Sequence, residues 1–170
     1  MGLDMYLNVR ENVTEYNYDR KGHTVERKRN TVYDTLVNTT TIKGMAEVPL
    51  IVTTEYTVIY WRKANQIHGW FVDTLGDGED TCQRIPVSRN SLVKLHETCS
   101  QLLDTRSNEL AKELLPPMDG FFFQAGGGPA QLDEGYWLDL QHTHEELSKL
   151  LEQITEENKW DYSLEYQASW

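Results

Sequence analysis

The chain has 170 residues, enough for one domain to bury a hydrophobic core without disulfide bonds or a structural metal. Its 27 acidic and 16 basic residues give a formal net charge of −11, so its surface repels nucleic acid and anionic membranes. Direct binding to nucleic acid or to a membrane is therefore not expected. Such a surface can instead imitate nucleic acid toward a basic protein partner.

Targeting segments and disulfide bonds are not predicted. The opening MGLDMYLNVRE has no basic run followed by an apolar stretch, and no part of the chain approaches the ~18 apolar residues of a membrane span. Cys82 and Cys99 lack the CxxC spacing of a structural zinc site. Cys99 falls on the apolar face of a predicted helix, which favours a buried, reduced thiol. We therefore expect an intracellular, cytoplasmic protein without a metal or cofactor.

The first third of the chain is predicted to be rich in strands. MGLDMYLNV alternates in hydrophobicity and predicts a strand with Leu3, Met5 and Leu7 on one side. Residues 12–30 are polar and basic, which indicates an exposed, mobile segment, and residues 31–48 suit another pair of strands. The β-branched and aromatic run LIVTTEYTVIYW predicts a long strand.

Helical periodicity begins after Arg62. An apolar stripe predicts a first helix that the glycines of GDGED end. Ser88 suits the N-cap of a second helix, and a third, near residues 108–115, ends before Pro116. The first stripe comprises Ala64, Ile67, His68, Phe71 and Leu75. The second comprises Leu92, Leu95, His96, Cys99, Leu102 and Leu103.

In the last third, DGFFFQ predicts a buried strand, AGGGPA an irregular loop and GYWLDL a further strand. Thr143 and Glu146 fit a capping box that starts a helix with Leu147, Leu150, Leu151 and Ile154 in the core. One face of a final strand is then predicted from the alternating residues Trp160, Tyr162, Leu164 and Tyr166. Together these elements predict a single compact α+β domain over residues 1–170, with a mostly antiparallel sheet and about three helices.

The segment YWRKANQIHGWF, residues 60–71, carries the main functional signal. On a helix of about 100° per residue, Lys63, Gln66 and Trp70 lie on the side away from the apolar stripe. Two interpretations remain open for Trp70. In the first, Trp70 packs beneath another part of the chain. In the second, it forms a stacking platform beside Arg62 and Lys63 for a planar anionic ligand.

Several motifs occur together and in order: MGLDMYL, YWRKANQIHGWFV, VSRNSL, DGFFF and YWLDL. This set resembles an uncharacterised family of small bacteriophage and prophage proteins. The resemblance implies a phage-type origin, a compact α+β domain, a location in the host cell cytoplasm and no assigned reaction. The similar proteins have a shorter FFFG-type segment where this chain has FFFQAGGGPA.

No motif for catalysis is present: the chain lacks a P-loop, a nucleophile elbow and a complete calcium loop. The sequence favours a non-enzymatic ligand-binding protein, a counter-defence factor that sequesters a nucleotide-like signalling molecule. Arginine and lysine would meet the anion, and aromatic side chains would stack on the base. The predicted ligand-binding residues are Trp61, Arg62, Lys63, Asn65, His68, Trp70, Phe123, Tyr136 and Trp137.

Two further hypotheses stay open. One is an acidic inhibitor that contacts a host defence protein through the C-terminal helix, which carries Glu145, Glu146, Glu152, Glu156 and Glu157. The last is a small hydrolase that uses His68 with Asp73 or Asp139. Small sequestering proteins often form symmetric oligomers, so a homo-oligomer is also among the expected assemblies.

Overall fold

The computed structural model describes residues 2–13, 52–118, 132–159 and 162–170. Over these ranges the chain forms four strands and four helices. In chain order they are β1 Asp4–Val13, β2 Val52–Arg62, α1 Asn65–Leu75, β3 Ile85–Val87, α2 Arg89–Thr105, α3 Asn108–Leu114, α4 Glu134–Gln153 and β4 Ser163–Ser169. Most of the segment 12–30, the strand pair expected in 31–48, DGFFFQ and AGGGPA lie outside the described residues.

The four strands form one antiparallel sheet in the order β2-β1-β4-β3. Strand β3 pairs with β4 so that Ile85 faces Tyr166 and Val87 faces Leu164. Alternation explains β1 and β4, because every second side chain of a strand points to the same face. Leu3, Met5 and Leu7 are fully buried, as predicted. The α+β class is confirmed, with four described helices instead of about three.

Local signals also explain where the helices begin. Ser88 accepts a hydrogen bond from the Ser91 backbone N–H and caps α2, as predicted. Ser107 caps α3 in the same way. Helix α2 packs along α4, and their apolar faces meet the core side of the sheet. Among the described helices, none combines the length and the apolar character that crossing a bilayer requires.

The prediction of a strand at GYWLDL is wrong, because these residues form the first turns of α4. Asp133 accepts a hydrogen bond from the Tyr136 N–H and caps the helix ten residues before the predicted start. Thr143 is therefore inside the helix, where its hydroxyl donates to Asp139 O at 2.7 Å. Tyr136, Leu140 and Leu147 share one buried stripe at helical spacing. The six residues of GYWLDL can mimic a strand, whereas the helical period is recognised only over a longer window.

The chain divides into two compact units, one of Met1–Val9 with Tyr56–Trp170 and one of Arg10–Glu55. The larger unit holds the hydrophobic core. In the smaller unit the described ends of β1 and β2 are joined by a 2.7 Å hydrogen bond from Arg10 Nε to Glu55 Oε2. Most of the smaller unit lies outside the described residues, so the single domain over 1–170 stays a prediction.

Candidate functional site

Residues Arg62 to Asn65 join β2 to α1, and we call this segment the 62–65 turn. Lys63 has a φ of 62°, a left-handed conformation that costs free energy for a residue other than glycine. Its N–H donates to Leu3 O at 2.9 Å, and its own carbonyl accepts from Asn65 N at 2.9 Å. The first of these hydrogen bonds joins the backbone of the turn to Leu3, the residue immediately before β1. Helix α1 starts only at Asn65, so the prediction that Lys63 shares a helix face with Trp70 is wrong.

The side chains of Arg62 and Lys63 are exposed. In the part of the chain that the structure describes, no carboxylate lies within ion-pair distance of either cation. Other basic residues differ: Arg89 and Lys159 both pair with Glu156. The 62–65 turn therefore presents two adjacent positive charges that an anion can approach.

Asn65, the first residue of α1, has an unusual side-chain environment. Its carbonyl oxygen Oδ1 is buried and accepts no hydrogen bond within the described structure. A buried acceptor without a donor costs about 1–3 kcal/mol. The described residues supply no donor to this oxygen, so its partner is a water, a ligand or none.

Gln66 and Asp139 form a polar contact between α1 and α4. Gln66 is buried, and its Nε2 donates to Asp139 Oδ2 at 3.1 Å and to Tyr136 O at 3.5 Å. Burial raises the pKa of Asp139, while the hydrogen bond from Gln66 acts in the opposite direction. This contact positions the start of α1 against α4, next to the 62–65 turn.

His68 faces the opposite side of α1 and is only 3% exposed. Its Nδ1 lies 2.7 Å from the Tyr166 hydroxyl, and its Nε2 lies 3.0 Å from Asp80 Oδ2. Both ring nitrogens are therefore engaged in hydrogen bonds whose direction depends on the tautomer. The hydrolase hypothesis named Asp73 or Asp139 as the carboxylate partner, and that part is wrong because Asp80 occupies the position. A ligand-binding role for His68 stays a prediction.

The predicted aromatic residues do not converge on one surface. Trp61 is 1% exposed, and its Nε1 donates to Thr143 Oγ1 at 2.9 Å. Trp70 is half-buried with its ring at right angles to Phe71. Phe123 lies outside the described residues. Two aromatic residues of α4 are engaged elsewhere: the buried Tyr136 donates through its hydroxyl to Leu115 O, and Trp137 lies 4.9 Å beneath the Arg106 guanidinium.

One residue at this site was missing from the predicted set. Tyr60 precedes Trp61 on β2 and is 45% exposed. Its hydroxyl donates a hydrogen bond to Asp4 Oδ1, and its ring contacts Tyr6 with centroids 5.5 Å apart. Strand alternation was the available signal: if Trp61 points into the core, then Tyr60 and Arg62 point out.

The cysteines and the other metal-ligating side chains of the described residues are dispersed. Burial raises the pKa of the Cys99 thiol to about 12, so it stays protonated, as expected of a core cysteine. Cys82 is also free. Across ranges 2–13, 52–118, 132–159 and 162–170, no three His, Cys, Asp or Glu side chains are grouped so that they could hold a metal ion.

Comparisons of the chain with protein-family models, with curated proteins and with solved structures find no match. The resemblance to phage proteins therefore stays a prediction.

Proposed function

We propose that the protein binds a small anionic, nucleotide-like molecule at the 62–65 turn and holds it without chemical conversion. The observation that carries the proposal is the pair of exposed cations, Arg62 and Lys63, neither of which pairs with a carboxylate of the described residues. Next to them, Asn65 has a buried Oδ1 that accepts no hydrogen bond, and rotation of its side chain toward the surface would let this oxygen accept from a nucleobase amino group or a sugar hydroxyl. Arg62 and Lys63, exposed beside it, supply charge-assisted hydrogen bonds to a phosphate.

A binding role without turnover agrees with the hydrogen bonds that already engage His68 and Asp139. His68 is buried with both ring nitrogens engaged, and Asp139 accepts a hydrogen bond from Gln66. General acid–base catalysis needs a group within hydrogen-bond reach of the substrate. Sequestration needs only affinity. As part of the same proposal, and resting on the phage resemblance, the bound molecule is a signalling nucleotide of the host defence.

Substitution of Asn65 offers the sharpest test, because it should raise folding stability and lower ligand affinity. Asn65→Ala removes an unsatisfied buried acceptor and should raise the free energy of unfolding of the ligand-free protein by about 1 kcal/mol. The same change should weaken ligand binding. Urea denaturation and isothermal titration calorimetry with AMP, GMP, CMP and UMP measure the two effects.

Asn108→Ala is the matched control, because Asn108 is an exposed asparagine at the first position of α3. It should reproduce the gain in helix propensity without changing binding. Lys63→Ala should weaken nucleotide binding about tenfold or more, while Lys94→Ala, which removes an exposed lysine of α2, should not. A wild-type protein that binds none of the four nucleotides would refute the proposal.

The alternative, an acidic inhibitor that contacts a host protein, has weaker structural support. Two carboxylates of the expected contact surface are already neutralised: Glu146 pairs with Lys149, and Glu156 pairs with Arg89 and Lys159. Ionic strength separates the hypotheses. Contact through a negative surface should weaken steeply with added salt, whereas stacking and hydrogen bonding at the turn should weaken less.

A further inference from the structure

The end of β2 separates its side chains onto two faces. Trp61 points into the core and is 1% exposed, whereas Tyr60 before it is 45% exposed and Arg62 after it is also exposed. Residues two apart on a strand lie on the same face, roughly 7 Å from one another. The aromatic side chain of β2 on the same face as Arg62 is therefore Tyr60, not Trp61.

Tyr60 is held in place despite its exposure. Its carbonyl oxygen accepts a 3.0 Å hydrogen bond from His142 Nε2 on α4. Its hydroxyl donates to Asp4, and its ring contacts Tyr6 at an interplanar angle of 42°. Three contacts thus immobilise the residue before any ligand arrives, and a pre-ordered side chain loses little conformational entropy on binding.

We infer that Tyr60 is the stacking surface for the planar ring of the ligand, with its anionic group at Arg62 and Lys63. This inference rests on the proposed function and specifies it. The ligand class is a heteroaromatic ring joined to a phosphate, a nucleoside monophosphate or a larger nucleotide. The Asp4 carboxylate beside the Tyr60 hydroxyl repels a phosphate, which places the anion at the Arg62 end of the platform.

A cross-strand tyrosine pair can also serve only to stabilise a sheet, with a contribution of roughly 0.2–1 kcal/mol. That role predicts a loss of folding stability on removal of the ring, with ligand affinity unchanged. Stacking predicts a loss of nucleotide affinity at constant affinity for phosphate. The two roles are therefore separable by measuring stability and two affinities on the same variants.

The experiment is calorimetric titration of the full chain with AMP, GMP, CMP, UMP and inorganic phosphate. Base stacking on an aromatic side chain is worth about 1–3 kcal/mol, so Tyr60→Ala should weaken nucleotide binding roughly 5- to 150-fold. Phosphate affinity should stay within about twofold, because Arg62 and Lys63 remain. Tyr60→Phe, which keeps the ring, should bind nucleotides like the wild type.

Tyr56→Ala is the matched control: Tyr56 lies on the same strand, four residues away, and is also 45% exposed. It should leave every affinity unchanged. If Tyr60→Ala does not fold, Tyr60→Leu keeps the apolar bulk, lacks the aromatic face and should show the same loss. Wild-type nucleotide affinity in the folded Ala or Leu variant overturns the stacking inference alone. A wild-type protein that binds none of the four nucleotides, whether or not it binds phosphate, overturns the proposed function as well.

Discussion

Trp61 Nε1 donates a 2.9 Å hydrogen bond to Thr143 Oγ1, and the same hydroxyl donates to Asp139 O at 2.7 Å. This chain of contacts joins the end of β2 to the middle of α4 inside the core. It explains two observations together: Trp61 lies in the core with its indole N–H bonded, and Thr143 lies inside α4 and does not start a helix, contrary to the prediction. The indole N–H of Trp61 and the hydroxyl of Thr143 are both occupied by this hydrogen bond.

Replacing Thr143 by valine should therefore destabilise the protein. Valine preserves the shape but leaves the Trp61 N–H buried without an acceptor, which costs about 1–3 kcal/mol. Urea denaturation monitored by tryptophan fluorescence measures the loss. Thr98→Val is the matched control, because Thr98 also donates to the carbonyl four residues earlier, in an exposed setting on α2. An equal loss in both variants would show that the Trp61 contact is not the cause.

Gly69 of α1 leaves room for a neighbouring side chain. A Cβ at this position would lie 1.9 Å from Met118 Sδ, far closer than van der Waals contact allows. Gly69→Ala should consequently lower the free energy of unfolding by roughly 1–3 kcal/mol, although alanine favours a helix. In a Met118→Ala background the sign should reverse, with a gain of about 0.5–1 kcal/mol. A double-mutant cycle in urea measures the coupling, and additive effects would contradict the prediction.

Tyr166→Phe should reveal the contribution of the hydrogen bond to His68. Phenylalanine keeps the stacking on Phe71, whose ring is parallel to that of Tyr166 at 4.0 Å, but removes the hydroxyl from His68 Nδ1. A buried imidazole nitrogen without its partner costs about 1–3 kcal/mol. Tyr162→Phe, at a half-buried tyrosine preceding β4, should change stability by less than about 0.5 kcal/mol. Thermal unfolding measures the change in Tm of both variants. Similar changes would argue against a stabilising hydrogen bond between Tyr166 and His68.

Stability should also fall with acidification because of a histidine pair between α2 and α4. The rings of His96 and His144 stack with centroids 4.3 Å apart, and His96 Nε2 contacts Ser148 Oγ at 2.8 Å. Burial, and then the neighbouring His144, lower the pKa of His96, while Glu97 acts in the opposite direction. A folded-state pKa below the unfolded value, about 6.5, stabilises the fold above that pH. This contribution is lost as the pH falls through the folded-state pKa.

The measurement is the urea midpoint at pH 7.5 and pH 5.0 for the wild type and for His96→Gln. The variant should lose less stability than the wild type between the two pH values, because it has no imidazole to protonate at this position. Glutamine can retain a hydrogen bond to Ser148, which keeps the packing comparable. Identical losses in the two proteins would show that His96 does not contribute to the acid sensitivity.

The sequence by itself determined the elements whose signals are local. Leu3, Met5 and Leu7 alternate strictly enough to define one face of β1, and the stripe from Ala64 to Leu75 has the period of α1. The caps at Ser88 and Ser107 depend on contacts three residues away. These patterns can be recognised without tertiary structure because the strand and the helix repeat over a few residues.

Only the tertiary structure decided which polar groups meet. Gln66 and Asp139 are 73 residues apart, and Tyr60 and His142 are 82 residues apart, so no short-range pattern pairs them. The same holds for the empty acceptor of Asn65, since burial depends on what the rest of the chain places around it. YWRKANQIHGWF specified the residue types suited to binding. The packing of α4 against β2 and α1 determined that Trp61 is core and left Tyr60 and Arg62 facing outward, because a strand presents alternate residues to opposite sides. Lys63 is exposed in the turn that follows the strand.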